Sequence, residues 1–114
     1  MNNLQRLQFE TKGIELDQSD LIIYLSENKL EAFSPYNPQS GTSKKTIYQS
    51  ALSVLESIVN SPETMKNIKH EDMSVTNFAT SIQSRIDQLD RKIRTLKTDE
   101  QLQNETNFFM LFES

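Results

Sequence analysis

The sequence predicts an all-α fold: a small helical bundle with a long C-terminal helix and an extended C-terminal arm. Three observations point there. Two glycines and three prolines punctuate 114 residues, which leaves room for long unbroken elements. Apolar residues recur three and four positions apart, and alternating β-branched runs are few, which is helical spacing. Cap-type residues stand just ahead of the periodic stretches, as at Ser61-Pro62-Glu63 and Ser74.

A first helix is expected from Leu4 to about Lys12, with Leu4 and Leu7 one turn apart and Gly13 as its stop. The second begins within DQSDLIIYLSENKL. Asp17 is its expected cap, and Asp20 lies in the first turn, where an acid suits the helix dipole. Leu21, Ile22, Tyr24 and Leu25 form its apolar side. EAFSPYNPQSG, residues 31–41, is the clearest loop, since two prolines and a glycine interrupt it. Its aromatics, Phe33 and Tyr36, are expected to tack it to the body.

Thr42 or Ser43 is expected to cap a third helix over 43–59, where Ile47, Ala51, Leu52, Leu55, Ile58 and Val59 recur at helical spacing. Ala51 is the small position that permits close helix approach. Ser61-Pro62-Glu63 opens a short helix through Met65 and Ile68 that ends near Lys69-His70. Ser74 caps the longest helix, 75–97. There Val75, Phe78 with Ala79, Ile82, Ile86, Leu89, Ile93 and Leu96 step by 3, 4, 4, 3, 4 and 3. Such a heptad seam serves either a homotypic coiled coil or a long helix lying against helices two and three. Asp87 with Arg91 and Asp90 with Arg94 are spaced for ion pairs along it. KTDEQLQNETN, 97–107, reads as a polar tether. The chain thus divides into a helical domain, 1–98, and a tether with a docking arm, 99–114.

Composition excludes several functions. With 35% hydrophobic and 25% charged residues, the chain is more polar than an average globular domain, and a thin core is expected. Cysteine is absent, so disulfides, thiolate metal sites and cysteine nucleophiles are excluded. No apolar run approaches the ~20 residues that span a membrane. The opening residues, MNNLQRLQFETKGIEL, carry no signal-type apolar run, so synthesis in the cytoplasm is the expectation. His70 is the only histidine, too few for a zinc site, and reads as a surface residue. Glu71 and Asp72 read as dipole partners of the following helix. No HExxH, GxSxG, P-loop or EF-hand loop occurs. Neither an enzyme nor a cofactor is expected.

Charge is distributed unevenly. Residues 1–98 carry twelve Lys/Arg and twelve Asp/Glu, whereas 99–114 carry Asp99, Glu100, Glu105 and Glu113 with no base. The whole net charge of −4 therefore surrounds the apolar run Phe108, Phe109, Met110, Leu111 and Phe112. Acids around such a run keep it soluble until it meets a partner. As a strand it would turn Phe108, Met110 and Phe112 one way and Phe109 and Leu111 the other, a pattern that suits addition to a sheet edge. Two readings stand: a tail that folds back to complete the chain's own core, and an arm that docks on another protein.

The segments DLIIYLSENKL, KKTIYQSALSVLESIVNSPETMKN and TNFATSIQSRIDQLDRKIRTL, followed by NFFMLF, resemble the head–tail connector (neck adaptor) proteins of tailed bacteriophages. The resemblance implies a virion structural protein, made in the host cytoplasm, that forms a ring of its own copies below the portal and extends the DNA channel. The C-terminal arm, 108–112, would dock on the portal. Arg85, Asp87, Asp90, Arg91, Lys92 and Arg94 would line the contacts between copies. The far side would receive the next neck or tail protein, and DNA would pass without specific binding. Two other functions remain open on the residues alone. One is a helical regulator or DNA-packaging accessory that binds nucleic acid through Lys44, Lys45 and the Arg85–Lys97 face. The other is a self-associating coiled-coil scaffold.

Overall fold

A computed structural model describes residues 1–12, 14, 16–68 and 74–104. Among the described residues five main helices follow in order: α1 (Asn3–Glu10), α2 (Gln18–Glu27), α3 (Gly41–Val59), α4 (Pro62–Ile68) and α5 (Val75–Thr95). Among the described residues there is no strand. The predicted stops at Gly13 and His70 lie outside the described residues.

Helix α3 is the centre of the bundle. It packs on α1, α2, α4 and α5, whereas α5 packs its backbone on α3 and α4 and reaches the end of α1 through side chains. Ile47, Ala51, Val54, Leu55 and Ile58 are buried on it. Against them lie Leu4 and Leu7 of α1, Leu21 and Leu25 of α2, Met65 of α4, and Phe78, Ile82 and Leu89 of α5. Each such side chain stabilises the fold by roughly 1.5–3 kcal/mol on burial. The α5 seam is thus used inside the chain: Phe78, Ile82 and Leu89 are buried, and Val75, Ala79 and Ile86 pack partly against the same core. It rests on α3 and not on α2, because α2 packs against α1 and the remaining side of α3.

The helix ends show how local sequence and distant contacts divide the work. The Asn2 side chain accepts from the Gln5 amide at 2.8 Å, and the Gln5 side-chain oxygen accepts in turn from the Asn2 amide at 2.8 Å. This capping box opens α1. Its two remaining early donors turn to the 31–40 loop: the Asn3 amide donates to Ser34 O at 3.0 Å and the Leu4 amide to Ala32 O at 2.8 Å. A helix N-terminus leaves such donors without intrahelical partners, and here the loop supplies them. Tyr36 N–H donates back to Met1 O at 3.0 Å, and the Asn3 side chain donates to Glu31 O at 2.8 Å.

Four expectations about local structure need correction. Asp17 holds the extended backbone of a cap, but its side chain makes no capping bond. Phe33 does not tack the loop down; it is 67% exposed, while Tyr36 is half-buried. The third helix begins two residues early, at Gly41, and its cap is Ser40, whose hydroxyl accepts from the Ser43 amide at 3.1 Å. Helix α5 ends at Thr95 rather than 97, with Leu96 in extended backbone. Ser74 caps it as expected, accepting from the Asn77 amide at 3.0 Å. Helix α2 closes in a Schellman turn, with Leu30 N–H donating to Leu25 O at 2.9 Å and Lys29 N–H to Ser26 O at 3.0 Å. Lys29 occupies the left-handed position of that turn, at φ 64°, which glycine ordinarily fills.

Candidate functional site

The apolar run Phe108–Phe112, singled out as a docking arm, lies outside the described residues, as do His70, Glu71 and Asp72. Its approach is described up to Asn104. In place of a plain polar tether, residues 99–104 are helical. Thr98 and Gln101 form a reciprocal cap, with Thr98 N–H donating to Gln101 Oε1 at 2.8 Å and Gln101 N–H to Thr98 Oγ1 at 3.2 Å.

Asp99 fastens this turn to the start of α3. Its carboxylate accepts from Ser40 Oγ at 2.5 Å and from Gly41 N–H at 2.9 Å, while its own amide donates to Thr42 Oγ1 at 2.9 Å. The first turn of α3 has no acid of its own, and Lys44 and Lys45 follow it. Asp99 brings a negative charge to the positive end of that dipole from more than fifty residues away. The Ser40 hydroxyl, more than any other group, holds the Asp99 carboxyl below its ordinary pKa; desolvation opposes it, and the Gly41 and Thr42 bonds add to it. Gly41 is required for the approach: a Cβ there would collide with the Lys97 carbonyl. Lys45, Arg94, Leu96, Gln101 and Asn104 line a shallow recess beside this clasp.

The six residues proposed for contacts between copies separate into two groups. Arg85 and Lys92 turn toward the end of α1. The Arg85 guanidinium donates to the carbonyls of Glu10 and Lys12, which neutralises carbonyls left over at a helix C-terminus. Lys92 lies 4.0 Å from Glu10 and 5.2 Å from the centre of the Tyr48 ring. Asp87, Asp90, Arg91 and Arg94 remain on the outer side of α5. Asp90 pairs with Arg94 at 2.7 Å as its spacing predicts, whereas Asp87 accepts from Gln83 at 3.2 Å instead of pairing with Arg91. An exposed pair of this sort contributes about 0–1 kcal/mol. The nucleic-acid reading loses part of its basic face for the same reason, because Arg85 and Lys92 already face the body.

One surface feature escaped the sequence. Arg6 stands among three rings, 5.7 Å from the centre of Phe9, 5.5 Å from Tyr36 and 5.9 Å from Tyr48. It also pairs with Glu10 at 2.9 Å. Burial works against its charge, but the bond to Glu10 and the Glu10 field prevail, so its pKa lies above the ordinary value. Phe9 is 62% exposed and Met1 69%, and together with Arg6, Tyr36 and Pro38 they line a recess of about 460 Å³. Phe9 and Arg6 are close in sequence, but Tyr36 and Tyr48 arrive from the loop and from α3, so only the tertiary fold assembles the cluster.

No group of three or more histidines or carboxylates that could hold a metal ion occurs among the described residues. Nor is any described helix long and apolar enough to cross a membrane. No family model, curated protein or solved structure matches the chain.

Proposed function

We propose that this chain is a non-catalytic helical adaptor that binds another protein through residues 108–112, of the kind found as head–tail connectors in tailed phages. In that role it would sit in the virion neck, form a ring of copies under the portal and carry the next neck or tail protein. Its mildly acidic surface would let DNA pass without sticking. One observation supports the reading above others: the described core runs from Leu4 to Leu89, and all five helices contribute to or pack on it. The body accounts for its own closure, and the acid-flanked apolar run is left for another surface. The outward set Asp87, Asp90, Arg91 and Arg94 suits contacts between copies.

The test is co-expression with the portal protein encoded in the same genome. The full chain is expected to co-purify with the portal as a ring visible by electron microscopy, and a chain ending at Asn104 is expected to lose it. Failure of the full chain to bind the portal, or tight and salt-steep binding to DNA in a gel shift, overturns the connector reading. Stable self-association that is lost on Ile86→Asp would favour a coiled-coil scaffold instead, against the use of that seam on α3.

A further inference from the structure

We propose that the recess between α1 and the 31–40 loop, lined by Met1, Arg6, Phe9, Tyr36 and Pro38, is the resting site of residues 108–112 of the same chain. This goes beyond the adaptor reading, since it concerns where the apolar run lies before any partner arrives.

Three observations converge on that occupant. The first is chemistry. The recess presents an aromatic ring, a thioether and a proline ring to solvent, and Phe9 and Met1 are more than half exposed. The run FFMLF is made of the same kinds of side chain, and aromatic rings and thioethers pack favourably on one another. The second is reach. The described chain stops at Asn104, which shares a recess with Lys45. Tyr48 lies one turn further along α3, and its ring is 5.9 Å from Arg6. Fully extended, the chain from Asn104 covers about 14 Å to Phe108 and about 28 Å to Phe112. The clasp at Asp99, five residues before Asn104, lies at Ser40, two residues from Pro38 of the recess itself. The third is charge. Lys45 lies beside Asn104, and Lys92 and Arg6, with Glu10 between them, flank Tyr48, whereas the segment carries Glu105 and Glu113. A tether this short also places the run at a high effective concentration over its own chain's recess, which favours it over the recess of a second copy.

The absence of cysteine makes the test direct. Glu113→Cys introduces a single thiol for a nitroxide label, and paramagnetic broadening of amide signals is read on the full ¹⁵N-labelled chain. Broadening is expected at Arg6, Phe9 and Tyr36, and it should persist on dilution with unlabelled chain. In Phe9→Asp, whose side chain is exposed, the broadening should fall several-fold while the circular dichroism stays the same. Undiminished broadening at these three amides in Phe9→Asp overturns the proposal. So does the absence of broadening there in the parent chain. Broadening seen only when the nitroxide and ¹⁵N sit on different molecules assigns the recess to the arm of a second copy and also overturns it. The measurement uses the isolated chain, so its outcome stands apart from whether a portal binds.

Discussion

The two long-range contacts that join the ends of this chain to α3 are built differently. The α3–α5 seam is dry and apolar: Phe78, Ile82 and Leu89 enter the core with little polar help. The corner made by α1, the 31–40 loop and the start of α3 is held by directed polar bonds. Backbone donors of α1 go to loop carbonyls, Arg6 stands among rings, and Asp99 closes on Ser40 and Gly41. Burial in the seam leaves nothing to offer a partner. The corner gives the first backbone donors of α1 their partners and still exposes Phe9, Met1 and Phe33. In this chain the surface left exposed is not the one that holds the fold.

The sharpest way to break this contrast is to hollow the seam. Ile82→Ala should cost about 2–5 kcal/mol, read as a lower midpoint in urea unfolding, since Ile82 is 1% exposed. A smaller loss is expected at the clasp. Gly41→Ala should cost about 1–3 kcal/mol, as expected for overpacking, because the Lys97 carbonyl blocks the new methyl. It should also raise hydrogen exchange at Thr98–Asn104 more than in the α5 seam. Equal acceleration in both regions would deny that they are separate.

Smaller effects follow at the turn and at the surface. Lys29→Gly should stabilise by about 0.5–1 kcal/mol, since φ 64° costs a side chain strain that glycine avoids. Phe9→Ser should lie within about ±0.5 kcal/mol in stability, as for other exposed sites. A stability loss comparable to that of Ile82→Ala would show that the ring belongs to the core.

Acid should separate the two regions without mutation. The Asp99 pKa is lowered in the folded chain, so the clasp is fully present above the ordinary carboxylate range. It is lost as the pH falls through the lowered folded value. The Gly41 amide chemical shift is expected to titrate with a midpoint below that of an ordinary aspartate, and Asp99→Asn should abolish the transition. The α3–α5 seam contains no such group among its buried residues, so its methyl signals should not follow the same curve.

The seam was legible in the sequence and the corner was not, for a physical reason. Periodicity records burial on one helix face, and Val75 through Leu89 display it in order. The corner depends on residues that meet only after folding. Tyr36 and Tyr48 converge on Arg6, and Asp99 reaches Ser40 across the chain. Three hydroxyls, Ser40, Thr42 and Ser43, compete for the cap of α3 on local grounds. The arrival of Asp99 at Ser40 and Gly41 selects the first of them. Thr98-Asp99-Glu100-Gln101 is a capping-box pattern, a local signal for the helical turn at 99–104. For the six charged residues of α5, sequence placed Asp90 and Arg94 in their pair. It did not separate Arg85 and Lys92, which face α1, from the outward four.

The helical body is expected to close without the apolar run at 108–112. Thermal unfolding of a chain ending at Asn104, measured beside the full chain, tests it most directly. Cooperative unfolding is expected, with unchanged helical content up to Asn104 and a Tm lowered by no more than about 5 °C, the shift for losing about 1 kcal/mol of surface docking in a domain of this size. Loss of cooperativity, or a Tm lower by more than about 15 °C, would contradict it and make the run part of the core.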